Sequence, residues 1–117
     1  MTATPTGFDR LPDTVRAYLD AHARGAVPAA AECFTPAAVV VDDGSTWRGR
    51  AHIRDWLSRS STTYTYTTTP TAAVRRGTDD WEVTQRIEGN FPGGVADLAY
   101  GFTLDDARIT TLVISPA

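Results

Sequence analysis

The chain has no lysine: all eleven of its cations are arginines. Schiff-base catalysis, which needs an ε-amino group, is therefore excluded. Cysteine is nearly absent too. Cys33 alone rules out an intrachain disulfide and any zinc site built from a cysteine cluster. Set in an apolar helical stretch, it reads as a buried, inert thiol rather than a nucleophile. The two histidines, His22 and His52, are far apart and lack a supporting carboxylate pattern, so no metal site is expected. No run approaches the roughly 18 apolar residues that span a bilayer. The Thr/Pro-rich start, residues 1–7, lacks the apolar segment of a secretory signal, and a cytoplasmic location is the default expectation. Neither a glycine-rich phosphate loop nor a Gly-x-Ser-x-Gly elbow is present. The net charge of −3 gives no electrostatic reason to expect nucleic acid or an anionic membrane as partner.

What is there suits one domain over residues 1–117, with 1–7 as a frayed, disordered tail. Leu11, Val15, Tyr18, Leu19 and His22 recur every three or four residues, the mark of an amphipathic helix that Gly25 ends. A second helix is expected over residues 27–34, with Pro28 in its first turn and Pro36 as its stop. Ala38 to Val41 reads as a strand, Asp42-Asp43-Gly44-Ser45 as a turn, and Thr46 to Arg48 as a brief strand. Ile53, Trp56 and Leu57 share one face of a helix over 51–59. From Ser61 the period becomes two, and Thr residues alternate with Tyr64 and Tyr66. Alternating strands follow over 81–88 and from Leu98 to Leu104, then over 108–115, joined by turns at 76–80, 90–94 and 105–106. Helices first and an antiparallel meander after make an α+β protein.

The run Val39-Val40-Val41-Asp42-Asp43-Gly44-Ser45-Thr46-Trp47-Arg48-Gly49-Arg50-Ala51-His52-Ile53 resembles a pattern of the NTF2-like superfamily. In its SnoaL-like and ketosteroid-isomerase-like branch, a valine strand, an acidic turn, an aromatic and Gly-Arg precede a helix. Three further pieces resemble the same family: Tyr18-Leu19-Asp20-Ala21-His22, Ile87-Glu88-Gly89-Asn90-Phe91-Pro92-Gly93 and Phe102 to Ile109. Together they cover nearly the whole chain. The resemblance implies a cone-shaped fold, a curved antiparallel sheet packed against three N-terminal helices, with a pocket between the first helix and the sheet. It also implies a homodimer through the outer sheet face.

By the same resemblance, Asp42 falls where the isomerases carry a general-base aspartate. A carboxylate leaving a buried valine strand can be partly desolvated, which raises its pKa toward a useful base. The competing reading is an ordinary solvated Asp-Asp-Gly turn, in which Asp43 is the more typical turn residue. Tyr18 lies at the interval before Asp42 that the family's oxyanion-hole tyrosine keeps, and a phenol in a dry pocket can hold a developing enolate oxygen. It can equally be a core ring with its hydroxyl at the rim. Tyr100 stands where the isomerases place a second donor, a protonated aspartate. Their supporting tyrosines are replaced here by Phe34 and Leu57, which argues against steroid isomerisation itself. Trp47, Trp56, Phe91 and Phe102 are the expected substrate-binding wall, with Trp81 a weaker candidate and His22 a polar anchor or second acid/base.

The expectation is a cofactor-independent enzyme that moves a proton on a small hydrophobic carbonyl compound, as an isomerase, cyclase or dehydratase. The alternative is a non-catalytic module of the same fold for small-molecule binding or dimerisation. Epoxide hydrolysis, which wants an Asp-Arg-Asp set, ranks last, because strand parity turns Arg86 and Asp97 away from the apolar face.

Overall fold

A computed structural model describes residues 4–117, apart from the side chain of Ser61. The helices come early: α1 (Asp13–Ala23), α2 (Val27–Glu32) and α3 (Arg50–Thr63). Seven strands, β1 (Thr4–Pro5), β2 (Phe34–Asp42), β3 (Ser45–Arg48), β4 (Tyr66–Arg75), β5 (Asp80–Gly89), β6 (Val95–Asp105) and β7 (Arg108–Pro116), form one sheet in the order β1-β4-β5-β6-β7-β2-β3. All neighbours are antiparallel except β2 and β7. The result is an α+β fold whose curved, open, mostly antiparallel sheet is closed on one face by three helices.

Period-two burial explains the layering. Val83, Gln85 and Ile87 on β5, Tyr100 and Phe102 on β6, and Leu112 and Ile114 on β7 all turn inward and are buried. Their neighbours Arg86, Asp97 and Val113 face out and are exposed. Val15, Tyr18 and Leu19 of α1, with Ile53, Trp56 and Leu57 of α3, cover the inner face. Burial of about twenty apolar side chains, each worth about 1.5–3 kcal/mol, is the main force holding helices to sheet.

Four boundaries differ from the sequence expectation, each for a physical reason. Thr4–Pro5 is not a frayed end: it pairs with Val74 and Arg75 on β4, and Thr6 donates to the Ala73 carbonyl at 2.9 Å. The expected tail is thus paired from Thr4 onward, and its first three residues lie outside the described ones. Helix α2 stops at Glu32, and Phe34 already belongs to β2. Pro36 therefore sits in a strand, inside the register shift between Phe34 and Val39, where a missing amide donor is tolerated. Helix α3 runs on to Thr63 although threonine disfavours helix. Its last hydroxyls bond back one turn, Thr62 to the Ser58 carbonyl at 2.9 Å and Thr63 to the Arg59 carbonyl at 2.8 Å.

Candidate functional site

The residue that matters most is placed by a two-residue hairpin. Asp42 pairs with Ser45 across the β2–β3 ladder, which leaves only Asp43 and Gly44 as loop. Both have positive φ, 50° and 76°, the conformation of an Asp-Gly type I′ turn. Asp43 is therefore the exposed turn residue, while Asp42 is still strand. By parity with the buried Ala38 and Val40, Asp42 faces the inside of the sheet.

That inner face opens into a cavity of about 710 Å³. Across it, register lines up Asp42 with Ile114, Ile114 with Tyr100, and Tyr100 with Val83. Asp42 and Tyr100 thus stand two strand spacings apart, roughly 10 Å between backbones. Six aromatic rings contribute to the wall: Trp47, Trp56, Tyr64, Tyr66, Phe91 and Tyr100. Asp42, His22, Arg59 and the hydroxyls of Ser45 and Ser60 are the main polar groups among them.

The Asp42 carboxylate accepts a hydrogen bond from Trp56 Nε1 at 3.0 Å. Partial burial raises its pKa above the ordinary carboxylate value, the Trp56 bond works against that, and the neighbouring Asp43 charge adds to it. Opposite, His22 Nε2 lies 3.2 Å from the Tyr66 hydroxyl, joining α1 to β4. Burial lowers the His22 pKa, so the ring is neutral at neutral pH, and its Nδ1 has no partner. Tyr66 and Tyr100 are both raised by burial, Tyr100 strongly, with smaller contributions from Asp42. Both phenols therefore stay protonated and keep a donor to offer.

Two expected site residues stand behind this wall rather than on it. Tyr18 and Phe102 are fully buried, their rings 5.6 Å apart, and neither lines the cavity. The reason is one pleat of strand and one turn of helix. Phe102 lies one inward position beyond Tyr100 on β6, and Tyr18 one turn before His22 on α1. The Tyr18 ring stacks on His22 and meets the edge of Phe34, and its hydroxyl has no hydrogen-bond partner among the described residues. Trp47, Trp56, Phe91 and His22 line the cavity. Trp81 does not: it packs under the Arg75 guanidinium, 5.1 Å away, near β1.

The sequence of β-strands and helices around this cavity matches the family model of the SnoaL-like domain over residues 15–112. The chain belongs to the SnoaL-like family. This SnoaL-like chain is 34% identical to a solved protein of Sinorhizobium meliloti provisionally described as a polyketide cyclase, with a TM-score of 0.88 over 94% of this chain and 100% of that one. A Catenulispora acidiphila protein with a ketosteroid-isomerase-like fold, solved with trimethylamine, is 22% identical at TM-score 0.80, covering 91% of this chain and 86% of that one. SalBIII, described as an epoxide hydrolase/cyclase-like enzyme in pyran-ring formation of the polyether salinomycin, is 22% identical at TM-score 0.76, over 90% and 88% of the two chains. These last two likenesses concern the fold. No curated protein sequence matches the chain significantly.

Within the SnoaL-like scaffold, several cavity residues were not anticipated. Tyr66 was hidden in a threonine-rich strand, yet Tyr66, Thr68 and Pro70 alternate as its more buried set. Arg59, Ser60 and Thr63 follow Trp56 at three, four and seven residues, the spacing of one helix face. The Arg86–Asp97 pair, 3.3 Å apart, is half exposed on the outer face, away from the cavity, which leaves the epoxide arrangement without those two groups. His52 is exposed and its Nδ1 lies 2.8 Å from the Arg48 carbonyl. Cys33 is buried, its thiol pKa raised by that burial, with Sγ 3.5 Å from the Ala29 carbonyl. Among the described residues no group of His, Cys, Asp and Glu is placed to hold a metal, and no helix is long and apolar enough to cross a membrane.

Proposed function

We propose that this SnoaL-like protein catalyses cofactor-independent proton transfer on a small hydrophobic carbonyl compound, with Asp42 as the base. The observation that carries the reading is the Asp42 carboxylate in an aromatic cavity wall, oriented by Trp56 and pushed up in pKa by burial. Such a base removes the proton next to a carbonyl, and the C–H electron pair moves to the carbonyl oxygen. Tyr100 and Tyr66 hold that oxygen, while His22 positions Tyr66. Tyr66 takes the role expected of Tyr18, whose hydroxyl is walled off. The enolate then has three fates. It takes the Asp42 proton back at another carbon, attacks a second carbonyl in the same molecule whose oxygen then takes that proton, or expels a β-hydroxyl that leaves as water with that proton. The description of the Sinorhizobium protein, concerned with ring closure, favours the second.

The test is exchange of α-protons on a hydrophobic ketone such as β-tetralone in heavy water, followed by NMR. Asp42→Asn is expected to slow exchange by about 10²–10⁴-fold. Unchanged exchange would remove the base. A binding-only module remains the second reading, favoured by the isolation of Tyr18 from the cavity. It predicts a ligand affinity with no exchange in either protein. We also propose a homodimer through the outer sheet face, where Val95 and Val113 are exposed at 53% and 42%.

A further inference from the structure

The cavity has an electrical axis that the proton-transfer reading does not use. Its arginine is Arg59, on the last turns of α3, and its guanidinium lies over the Trp47 ring at 5.4 Å. Arg16, Arg24, Arg54, Arg76 and Arg86 each face a carboxylate. Arg59 makes no ion pair and no side-chain hydrogen bond among the described residues, although Asp42 and Asp43 share the cavity lining. A guanidinium over an indole can present its face to the ring. The edge, with its forked N–H donors, stays available, and that fork matches a carboxylate held by two parallel hydrogen bonds. Ser60, next to Arg59 on α3, also lines the cavity and can add a donor.

Arg59 and the residue that holds the base share α3. Trp56, which holds Asp42, and Arg59 are three residues apart, so Arg59 sits about 4.5 Å further along the axis, toward the helix end. We infer that the ligand of this cavity carries a carboxylate, bound by Arg59 against Trp47, at the end opposite its reacting carbon. The substrate class is a hydrophobic, aromatic-sized keto acid. Its carboxylate is repelled from Asp42 and drawn to Arg59, so it enters in one orientation, with the carbonyl toward Tyr66 and Tyr100. A cationic or neutral ligand would leave the guanidinium edge unused and lose that orientation. The orientation rests on the Asp42 reading; the carboxylate preference does not.

Trp47 and Trp56 in the wall make binding visible by fluorescence quenching. The probes are naphthoate and its neutral isostere naphthamide, titrated into the wild type, Arg59→Gln and Asp42→Asn. The wild type is expected to bind naphthoate at least about fivefold tighter than naphthamide, the modest size a partly solvated charge pair supports. The gap closes to within about twofold in R59Q and shrinks at high salt, while D42N keeps it or widens it. Equal affinity of the wild type for both probes, binding of neither, or a preference that survives in R59Q overturns the assignment. If the preference behaves as expected but D42N leaves ketone exchange untouched, the carboxylate site stands and the base falls. Melting curves confirm that R59Q, at an exposed position, is folded.

Discussion

At the scale of single residues, the account turns on burial of polar groups. Burial raises Asp42, so the folded protein holds its proton more tightly than the unfolded chain does. Its charged form therefore costs stability, and that cost grows as pH climbs from the unfolded carboxylate value of about 3.9 through the folded one. Asp42→Asn removes the cost and keeps an acceptor for Trp56. Its melting temperature should equal or exceed the wild type at neutral pH, with the difference gone below pH ~3. A lower melting temperature at neutral pH would contradict the desolvated setting. Trp56→Phe deletes the one side-chain donor that lowers Asp42, so the carboxyl should titrate at higher pH, visible as an upward shift of the acid limb of any proton-transfer rate. No shift would mean that the indole is not bonded to Asp42 in solution.

The two expected phenols separate at this scale as well. Tyr18→Phe removes a hydroxyl that has no partner, so stability should hold or rise by about 1 kcal/mol, with ketone exchange within about twofold of wild type. Tyr100→Phe, at the cavity wall, should lower exchange by about 10²-fold. The reverse ranking would restore Tyr18 as the oxygen donor. Asp42 was singled out through the family resemblance, but the sequence read it as the first turn residue, whereas the two-residue hairpin keeps it on β2. Tyr18 was mislocated because helical spacing gives a face but not a depth. One turn decides between the core layer of Tyr18 and the cavity layer of His22.

At the scale of elements, the strands from β5 onward were readable from period two alone, since each turns one apolar face to the helices. Composition misled at two joints. Pro36 suggested a helix stop but lies in the irregular start of β2, and Thr62 and Thr63 suggested the beginning of a strand but continue α3, the strand starting only at Tyr66. In both, local hydrogen bonding or a register shift overrode propensity, which single residues do not disclose. The entry to β4 is equally specific. Asn90 ties it down, accepting from the Thr65 amide at 2.9 Å while its own amide donates to the Thr65 carbonyl at 3.1 Å. Gly89 leaves no room for a side chain there: a Cβ would lie 2.3 Å from the Thr65 carbonyl oxygen and 2.6 Å from Tyr66 Cβ. Gly89→Ala should therefore destabilise the protein by about 1–3 kcal/mol, measured by denaturant unfolding, and disturb the Tyr66–His22 contact. A neutral substitution would mean that β4 can shift without cost.

At the scale of the whole molecule, the fold concentrates its polar exceptions in one place. The core is otherwise apolar, with Gln85 its one buried polar side chain among the described residues. The five ion pairs among the described residues lie at the surface, where solvent screens them and each contributes little. The melting temperature should accordingly change little between low and high salt, whereas naphthoate binding should weaken. Stability thus comes from apolar layers, and charge is spent at the cavity. The sequence pattern disclosed the family and the existence of that cavity. It did not disclose the axis from Asp42 to Arg59, because that axis needs α3 laid against β2 and β3, a contact between residues distant in sequence.

The most direct test of the base in its dry cavity is the pH dependence of the opening of nitrobenzisoxazole, which needs only a carboxylate in apolar surroundings to take its C–H proton as the N–O bond breaks. The wild type should turn it over with an acid limb, the rate falling as Asp42 takes up a proton, centred above the ordinary carboxylate range of about 3.9–4.3, and D42N should lose about 10²-fold or more while remaining folded. A limb at the ordinary value, or equal rates in the two proteins, would contradict the account.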